Sequence, residues 1–349
     1  MSVVESYRRL VCRSRLTMII LVIIVVSAFS LTLSLGKYDI GIVDSYRVIW
    51  NHISGVPVDR MDLYIVWESR LPRAITAITV GAGLAVSGCV MQFILRNPLA
   101  DPYTTGLSSG AGLGASLSIV LDFSIIPGIT GSYATMVNAF LFSLIPASVI
   151  LLLCRFRRMT PIMMILVGIG LMYLFGACTT IVNLMANPDD LANVYEWNVG
   201  TLGKARWENV PFTLTALVVG FSLLSMLSRR LDIVSLDEKV CTSLGEDAPR
   251  NRMVCMLIVS IVTAIMSCFT GTIGFVGLVA PHIARRFVGN SARLLIPMSA
   301  LTGAALLEAA DCLAKSLGSS GIAVGIVMSM IGGPLFMVML LRKAGRSHS

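Results

Sequence analysis

Residues 70–114 read RLPRAITAITVGAGLAVSGCVMQFILRNPLADPYTTGLSSGAGLG, and this stretch decides the fold. Two arginines precede about twenty residues without charge, a length that matches the hydrocarbon core of a bilayer at 1.5 Å rise per residue. Arg70 and Arg73 stand at one membrane face and Arg96 at the other. A polar, proline-bearing break follows, and then a second apolar segment in which Gly106, Gly110 and Gly114 recur every four residues. Such glycines share one helix face and permit close backbone approach. The stretch predicts two membrane helices built to pack tightly.

The rest of the chain agrees. Mean hydropathy is +0.83, 56% of the residues are hydrophobic and 13% are charged, against roughly 25% charged in soluble domains. The polar gaps are short, so the reading is a single all-helical membrane domain over 1–349 with no sizeable extramembrane module. Apolar windows fall at 16–36, 71–93, 103–121, 134–154, 161–186, 210–228, 253–270, 272–284, 294–314 and 321–341. The eighth is too short for a full span. The first is a true span rather than a cleaved signal, because no small-residue cleavage site precedes a polar region.

Basic residues are retained on the cytoplasmic side of short loops, and they fit ten spans with both termini inside. The inner segments then carry Arg8, Arg9, Arg13, Arg15, Arg96, Arg155, Arg157, Arg158, Arg229, Arg230, Lys239, Arg250, Arg252, Arg285, Arg286, Arg293, Arg342, Lys343 and Arg346. The outer ones carry Lys37, Arg47, Arg60, Arg70, Arg73, Lys204, Arg206 and Lys315. The net charge of +8 is therefore topology and not a nucleic-acid footprint. Arg70, Arg73 and Lys315 break the trend at the outer ends of spans. They either snorkel to headgroups or form a docking patch for an acidic protein.

The longest inner loop, 229–252, contains Leu236, Val240 and Leu244 four apart, with Asp237, Glu238 and Lys239 between them and Gly245 behind. The spacing predicts one short amphipathic helix over Leu236–Leu244, closed by Gly245 as a C-cap. Its charge is near neutral, which favours a protein partner over a lipid surface. The eight cysteines are scattered through apolar runs without metal-site spacing. The 19 methionines fill irregular cores and show no pairing that would suit a metal path. Glu308 and Asp311 share a face near the outer end of the ninth window, where intramembrane acids are functional candidates. His282 reads as structural. No GxxxxGK[ST] phosphate loop occurs, so the chain is not itself an ATPase.

Taken in order, these segments resemble the FecCD-type permeases of ABC importers for iron–siderophore, haem, cobalamin and related compounds. The resemblance rests on Arg70-Leu-Pro-Arg73, the small-residue run Gly81–Gly88, Arg96-Asn-Pro-Leu-Ala-Asp-Pro102 and Gly106-Leu-Ser-Ser-Gly-Ala111. It continues through Trp197, Gly200-Thr-Leu202, Ser243-Leu-Gly245 and Ile273-Gly-Phe-Val-Gly-Leu-Val-Ala-Pro-His-Ile-Ala-Arg285. Leu295-Ile-Pro-Met-Ser-Ala-Leu301, Ala310-Asp311, Val324-Gly325 and Ile331-Gly-Gly-Pro-Leu-Phe336 complete it.

The resemblance implies a type II importer permease in the membrane of a prokaryotic cell, forming a homodimer around a translocation path. Its partners would be two cytoplasmic ATPase subunits, which hold the ATP and magnesium, and an external substrate-binding protein; the permease itself would carry no cofactor and no metal. Arg70, Arg73 and a basic residue at Lys315 would meet the binding protein. The segment 232–250, through Leu236, Glu238, Val240, Leu244 and Gly245, would couple to the ATPase. The fifth and tenth spans would line the path, through Gly168, Met172, Gly176 and Asn183 and through Gly325 and Ser329. The cargo expected is a metal chelate, iron–siderophore first, with haem or cobalamin as alternatives. Against an ion-driven secondary transporter, Glu308 and Asp311 lie too near one end. Where the family has Glu-Leu-Pro before the last span, this chain has Gly321, Ile322 and Ala323.

Overall fold

A computed structural model describes the backbone of residues 3–156, 159–317 and 321–346. Arg157 and Arg158, counted above among the inner charges, lie outside the described residues. Helices joined by loops make up these segments, and no strand occurs among the described residues. In order, the helices are α1 (Val3–Ser34), α2 (Ile42–Ile53), α3 (Arg60–Leu63), α4 (Leu71–Ile94), α5 (Leu107–Leu121) and α6 (Gly131–Phe156). They continue with α7 (Pro161–Asn183), α8 (Pro188–Val199), α9 (Val210–Met226), α10 (Ser228–Val234) and α11 (Glu238–Ser243). The last are α12 (Ala248–Thr270), α13 (Val276–Val288), α14 (Ala292–Ser316) and α15 (Val324–Arg346).

Each of the ten apolar windows contains a helix. Six of these segments are long and apolar enough to cross a bilayer by themselves, and α9 with α10 makes a seventh that bends by 61°. α5 and α13, at 15 and 13 residues, are shorter, as the short eighth window foretold for α13. Two 12-residue helices, α2 and α8, lie in stretches the apolar windows leave out.

α4 is the hub. Of its most apolar stretch 89% is buried, against 17% for α1 and 11% for α7. Its small residues let neighbours approach: a Cβ on Gly88 would run into the Gly277 carbonyl of α13, and one on Gly81 would meet the Gly303 carbonyl of α14. The stripe on α5 works the same way, since Cβ atoms on Gly110 and Gly114 would strike the Phe142 and Asn138 carbonyls of α6. Around α4 the core splits into two clusters. Met91, Ile94, Met256 and Leu295 fill the end beside Arg96, and Val80, Met266, Ile273 and Leu307 fill the other.

One boundary differs from expectation. The helix predicted over Leu236–Leu244 starts two residues later. The chain turns between α10 and α11, with the Leu236 N–H donating to the Ile233 carbonyl at 2.9 Å, and Asp237 takes the extended N-cap conformation. Gly245 closes the segment as expected, at φ +77°, a conformation that suits glycine past a helix end.

Candidate functional site: an outer charged cap, an uncharged groove and an apolar ledge

At the outer end α3 runs through a π-helical stretch, Tyr64–Arg70, into α4. π-helical turns are rare and occur frequently at functional sites. Here Arg70 points back at the end of α1, where Nη1 donates to the carbonyls of Leu33 at 2.8 Å and Ser34 at 2.7 Å, and Nη2 to that of Tyr38. Leu33 and Ser34 present the carbonyls of a helix C-terminus, which a cation satisfies well, and Tyr38 lies in the loop that follows. Arg70 is 5% exposed.

Arg73 and Lys315 converge on one carboxylate. Arg73 donates through Nε at 3.0 Å and Nη2 at 2.7 Å to Asp311, and Lys315 Nζ approaches the other Asp311 oxygen at 3.2 Å. Lys315 also donates to the Thr32 carbonyl, and the Thr32 hydroxyl donates to Glu308 at 2.9 Å. Glu308 and Asp311 are wholly buried. Thus the two acids, with Arg73 and Lys315, form one network that ties α1, α4 and α14 together, and Arg70 adds a separate tie from the start of α4 to the end of α1. A cavity of about 790 Å³ opens over it, lined also by Lys37, Glu196, Thr201 and Gly321–Ala323. The Glu-Leu-Pro departure therefore lies on the wall of this cavity.

The residues expected along the path divide. Gly168 packs on the backbone at Thr104 and Thr105 and serves close approach, whereas Gly325 both packs on the carbonyl of Val199 and lines a cleft beside Ser329. Met172 is half-buried on α7. Asn183 lies at the end of α7, its Oδ1 buried without a partner. Gly176 and Ser329 open onto two adjoining clefts of about 250 and 610 Å³. Both clefts are walled by Ser108, which stood in the quoted motif Gly106–Ala111, and by Asn198 and Thr272, which the sequence reading did not single out. The Thr272 hydroxyl donates to the Asn198 carbonyl, and Gly325 N–H to the Gly200 carbonyl at 3.1 Å. α8, the connection between α12 and α13, and α15 are thereby laced together along a groove whose lining carries hydroxyls and an amide but no charge.

At the cytoplasmic end Leu236, Val240 and Leu244 are 45%, 42% and 57% exposed, and Glu238 is exposed beside them. This ledge is rigidly held. Cys241 is buried against α10, with Sγ 3.1 Å from the Ile233 carbonyl. Arg96, the end of α4, donates from Nε to the Val234 carbonyl at 3.1 Å. Asp232 accepts from the first N–H of α14 at 2.7 Å, and Glu246 accepts from Asn251 of α12 at 2.7 Å. The braces Asp232, Glu246 and Asn251 were also missed from sequence. Arg96 stood in a recognised motif, which was the available signal.

A bundle of bilayer-length helices around an uncharged groove, with a charged outer cap and a rigid apolar ledge inside, defines a multi-pass transport protein. Residues 19–342 match the model of the FecCD transport family, and the chain belongs to that family. It is 35% identical to the hemin transport system permease protein HmuU of Yersinia pestis, over 89% of this chain and 92% of that protein. It is 32% identical to the molybdate import system permease protein MolB of Haemophilus influenzae, over 94% and 96%. A solved metal-chelate type ABC transporter in an inward-facing conformation superposes with a TM-score of 0.81 at 30% identity, covering 93% of this chain and 98% of that one. The protein is a multi-pass membrane permease of a prokaryotic ABC importer, of type II architecture, whose ATPase is a separate subunit.

Proposed function

We propose that this permease pairs with a second copy of itself and moves a ferric siderophore inward, powered by two ATPase subunits seated on the Leu236–Leu244 ledge. The observation that carries the reading is the groove lined by Ser108, Asn198, Thr272, Gly176 and Ser329. An uncharged, hydroxyl-bearing wall binds a bulky chelate weakly, and weak binding is what a path must offer if cargo is to leave as readily as it arrives. The groove is flanked by exposed apolar side chains, Leu166 and Tyr173 on α7 and Met330 and Met337 on α15. Their position suits a second copy closing the groove into a channel.

An external binding protein would deliver cargo over the outer cavity. Arg70 and Lys315 are buried there and already bonded, so within the proposed docking set of Arg70, Arg73 and Lys315 their part is to hold the cap in shape. Arg73, at 22% side-chain exposure, and exposed Lys37 present charge to an acidic partner. ATP closure of the ATPase pair would push on the ledge, and Arg96, Asp232 and Glu246 would pass the motion to α4, α14 and α12. A ligand of one subunit would thereby bias a two-state element in another. The hemin and molybdate relatives share this frame and differ in the cargo their names state, which supports assigning selectivity to the delivery protein.

The test is uptake of radioiron-labelled siderophore into proteoliposomes holding the permease, its ATPase and its binding protein. Uptake that requires ATP, and that stops with a hydrolysis-dead ATPase, is the expected result. Uptake of hemin or an oxyanion in place of the ferric siderophore would overturn the cargo assignment.

A further inference from the structure

α2 is the helix that the transport reading leaves without a task. Its residues sort into three faces. Ser45, Val48 and Ile49 face the protein, with Val48 packing near Ile40 and Val66, and Ile49 near Leu33 and Leu71. The ring of His52 lies 4.4 Å from that of Trp67, which in turn lies 5.1 Å from that of Trp207. Asp44 and Arg47 form a mutual ion pair on the polar face, with both side chains well exposed. Between these faces runs a third. Val43, Tyr46, Trp50 and Ile53, spaced by three and four residues, form a continuous stripe that is 71%, 41%, 71% and 67% exposed.

We infer that this third face is seated in the headgroup and upper acyl region of the outer leaflet, so that α2 lies in the membrane plane as an anchor for the outer cap. Continuity with the lipid-facing surface selects the occupant. The Tyr46 hydroxyl bonds the Ser30 hydroxyl at 2.8 Å, and Ser30 sits on the flank of α1 where Ile23, Val26 and Leu31 are exposed. α1 is a spanning helix with 17% of its apolar window buried, so the stripe on α2 extends a surface that already faces lipid. Tyrosine and tryptophan are the side chains that favour the interface, where ring and polar tip find different surroundings. An in-plane amphipathic helix buries its apolar face about 5–10 Å into that layer, a depth that these four side chains can reach. The stripe carries no charge, whereas the cavity proposed for protein docking is rimmed by Lys37, Arg73 and Glu196.

The consequence is mechanical. Arg70 binds the loop leading from α1 toward α2 through the Tyr38 carbonyl. An anchor on α2 therefore holds the outer mouth at a fixed height relative to the bilayer while the ledge moves at the other end.

The experiment compares the full permease with Trp50→Phe in phosphatidylcholine liposomes whose acyl chains are brominated either close to the headgroup or near the bilayer centre, with iodide on both sides as the aqueous quencher. The difference in fluorescence between the two proteins isolates Trp50 from Trp67, Trp197 and Trp207. The expected difference signal loses most of its intensity to shallow bromines, less to deep ones, and almost none to iodide. Quenching by iodide alone would place the stripe in water and overturn the inference. Protection from both quenchers would mean that a protein surface covers it, and stronger quenching by deep bromines would mean that α2 does not lie in the interface.

Discussion

Arg70 and Leu244 lie at opposite ends of the molecule, and each sits where its chemistry is least at home. The guanidinium is 5% exposed and the leucine 57% exposed. At the outer cap, charge is turned inward: Arg70 satisfies carbonyls of α1, and Arg73 and Lys315 share Asp311. At the ledge, apolar side chains are turned outward on a platform braced by Arg96, Asp232 and Glu246. The cap is complete within one chain, and its residues stabilise the fold. The ledge leaves Leu236, Val240 and Leu244 exposed within one chain, and on the proposed reading a partner covers them. A substitution at the cap should therefore cost stability first, and one at the ledge should cost assembly while the fold remains intact.

The largest effect is expected at Asp311. Asp311→Asn removes the one carboxylate between two cations, and breaking a buried pair from one side costs about 3–5 kcal/mol. Thermal unfolding in detergent should show a large drop in midpoint; an unchanged midpoint would break the idea that the cap is an internal clamp. Next comes Arg70→Met, which strips the Ser34 and Tyr38 carbonyls of their side-chain donor and leaves the Leu33 carbonyl with the Ser45 hydroxyl alone. Hydrogen bonds to charged groups contribute about 1.5–3 kcal/mol, so a smaller but clear loss of stability is expected, with hydrogen exchange rising at the end of α1. Smaller again is Lys37→Glu, an exposed substitution on the cavity rim that should leave the unfolding midpoint in place. It should weaken capture of the binding protein several-fold at low salt and less at high salt, because exposed charges are screened within a Debye length of ~8–10 Å. Salt-independent binding, measured by surface plasmon resonance on nanodisc-held permease, would remove electrostatics from the docking account.

Much of the helical frame was legible in advance, since spanning a bilayer demands long apolar windows and all ten contain helices. Hydropathy alone could not rank them: α4 and α7 are both strongly apolar, yet 89% of one window and 11% of the other are buried. Lipid, a partner copy and a protein core all accept the same side chains. α2 and α8 escaped because twelve amphipathic residues leave no bilayer-length signal, and with α8 went Asn198, which lines the groove. The sequence placed Arg70 and Arg73 at the outer edge. It held no trace of the bond from Arg73 to Asp311, 238 positions away, nor of the π-helical stretch that turns Arg70 back onto α1. The ledge was readable because an exposed triplet spaced by four, ended by glycine, is a local pattern.

The account rests most heavily on the ledge being the seat of the ATPase, and Leu244→Asp tests that directly. An exposed position tolerates such a change within about 0.5 kcal/mol of stability, whereas a charge at an apolar hot spot costs 2 kcal/mol or more of binding, roughly thirty-fold. Co-purification of the ATPase with tagged permease, alongside the unfolding midpoint, reads both quantities at once. The predicted result is an unchanged midpoint with the ATPase lost. Equal recovery of ATPase on the variant and on the unaltered permease would contradict the account.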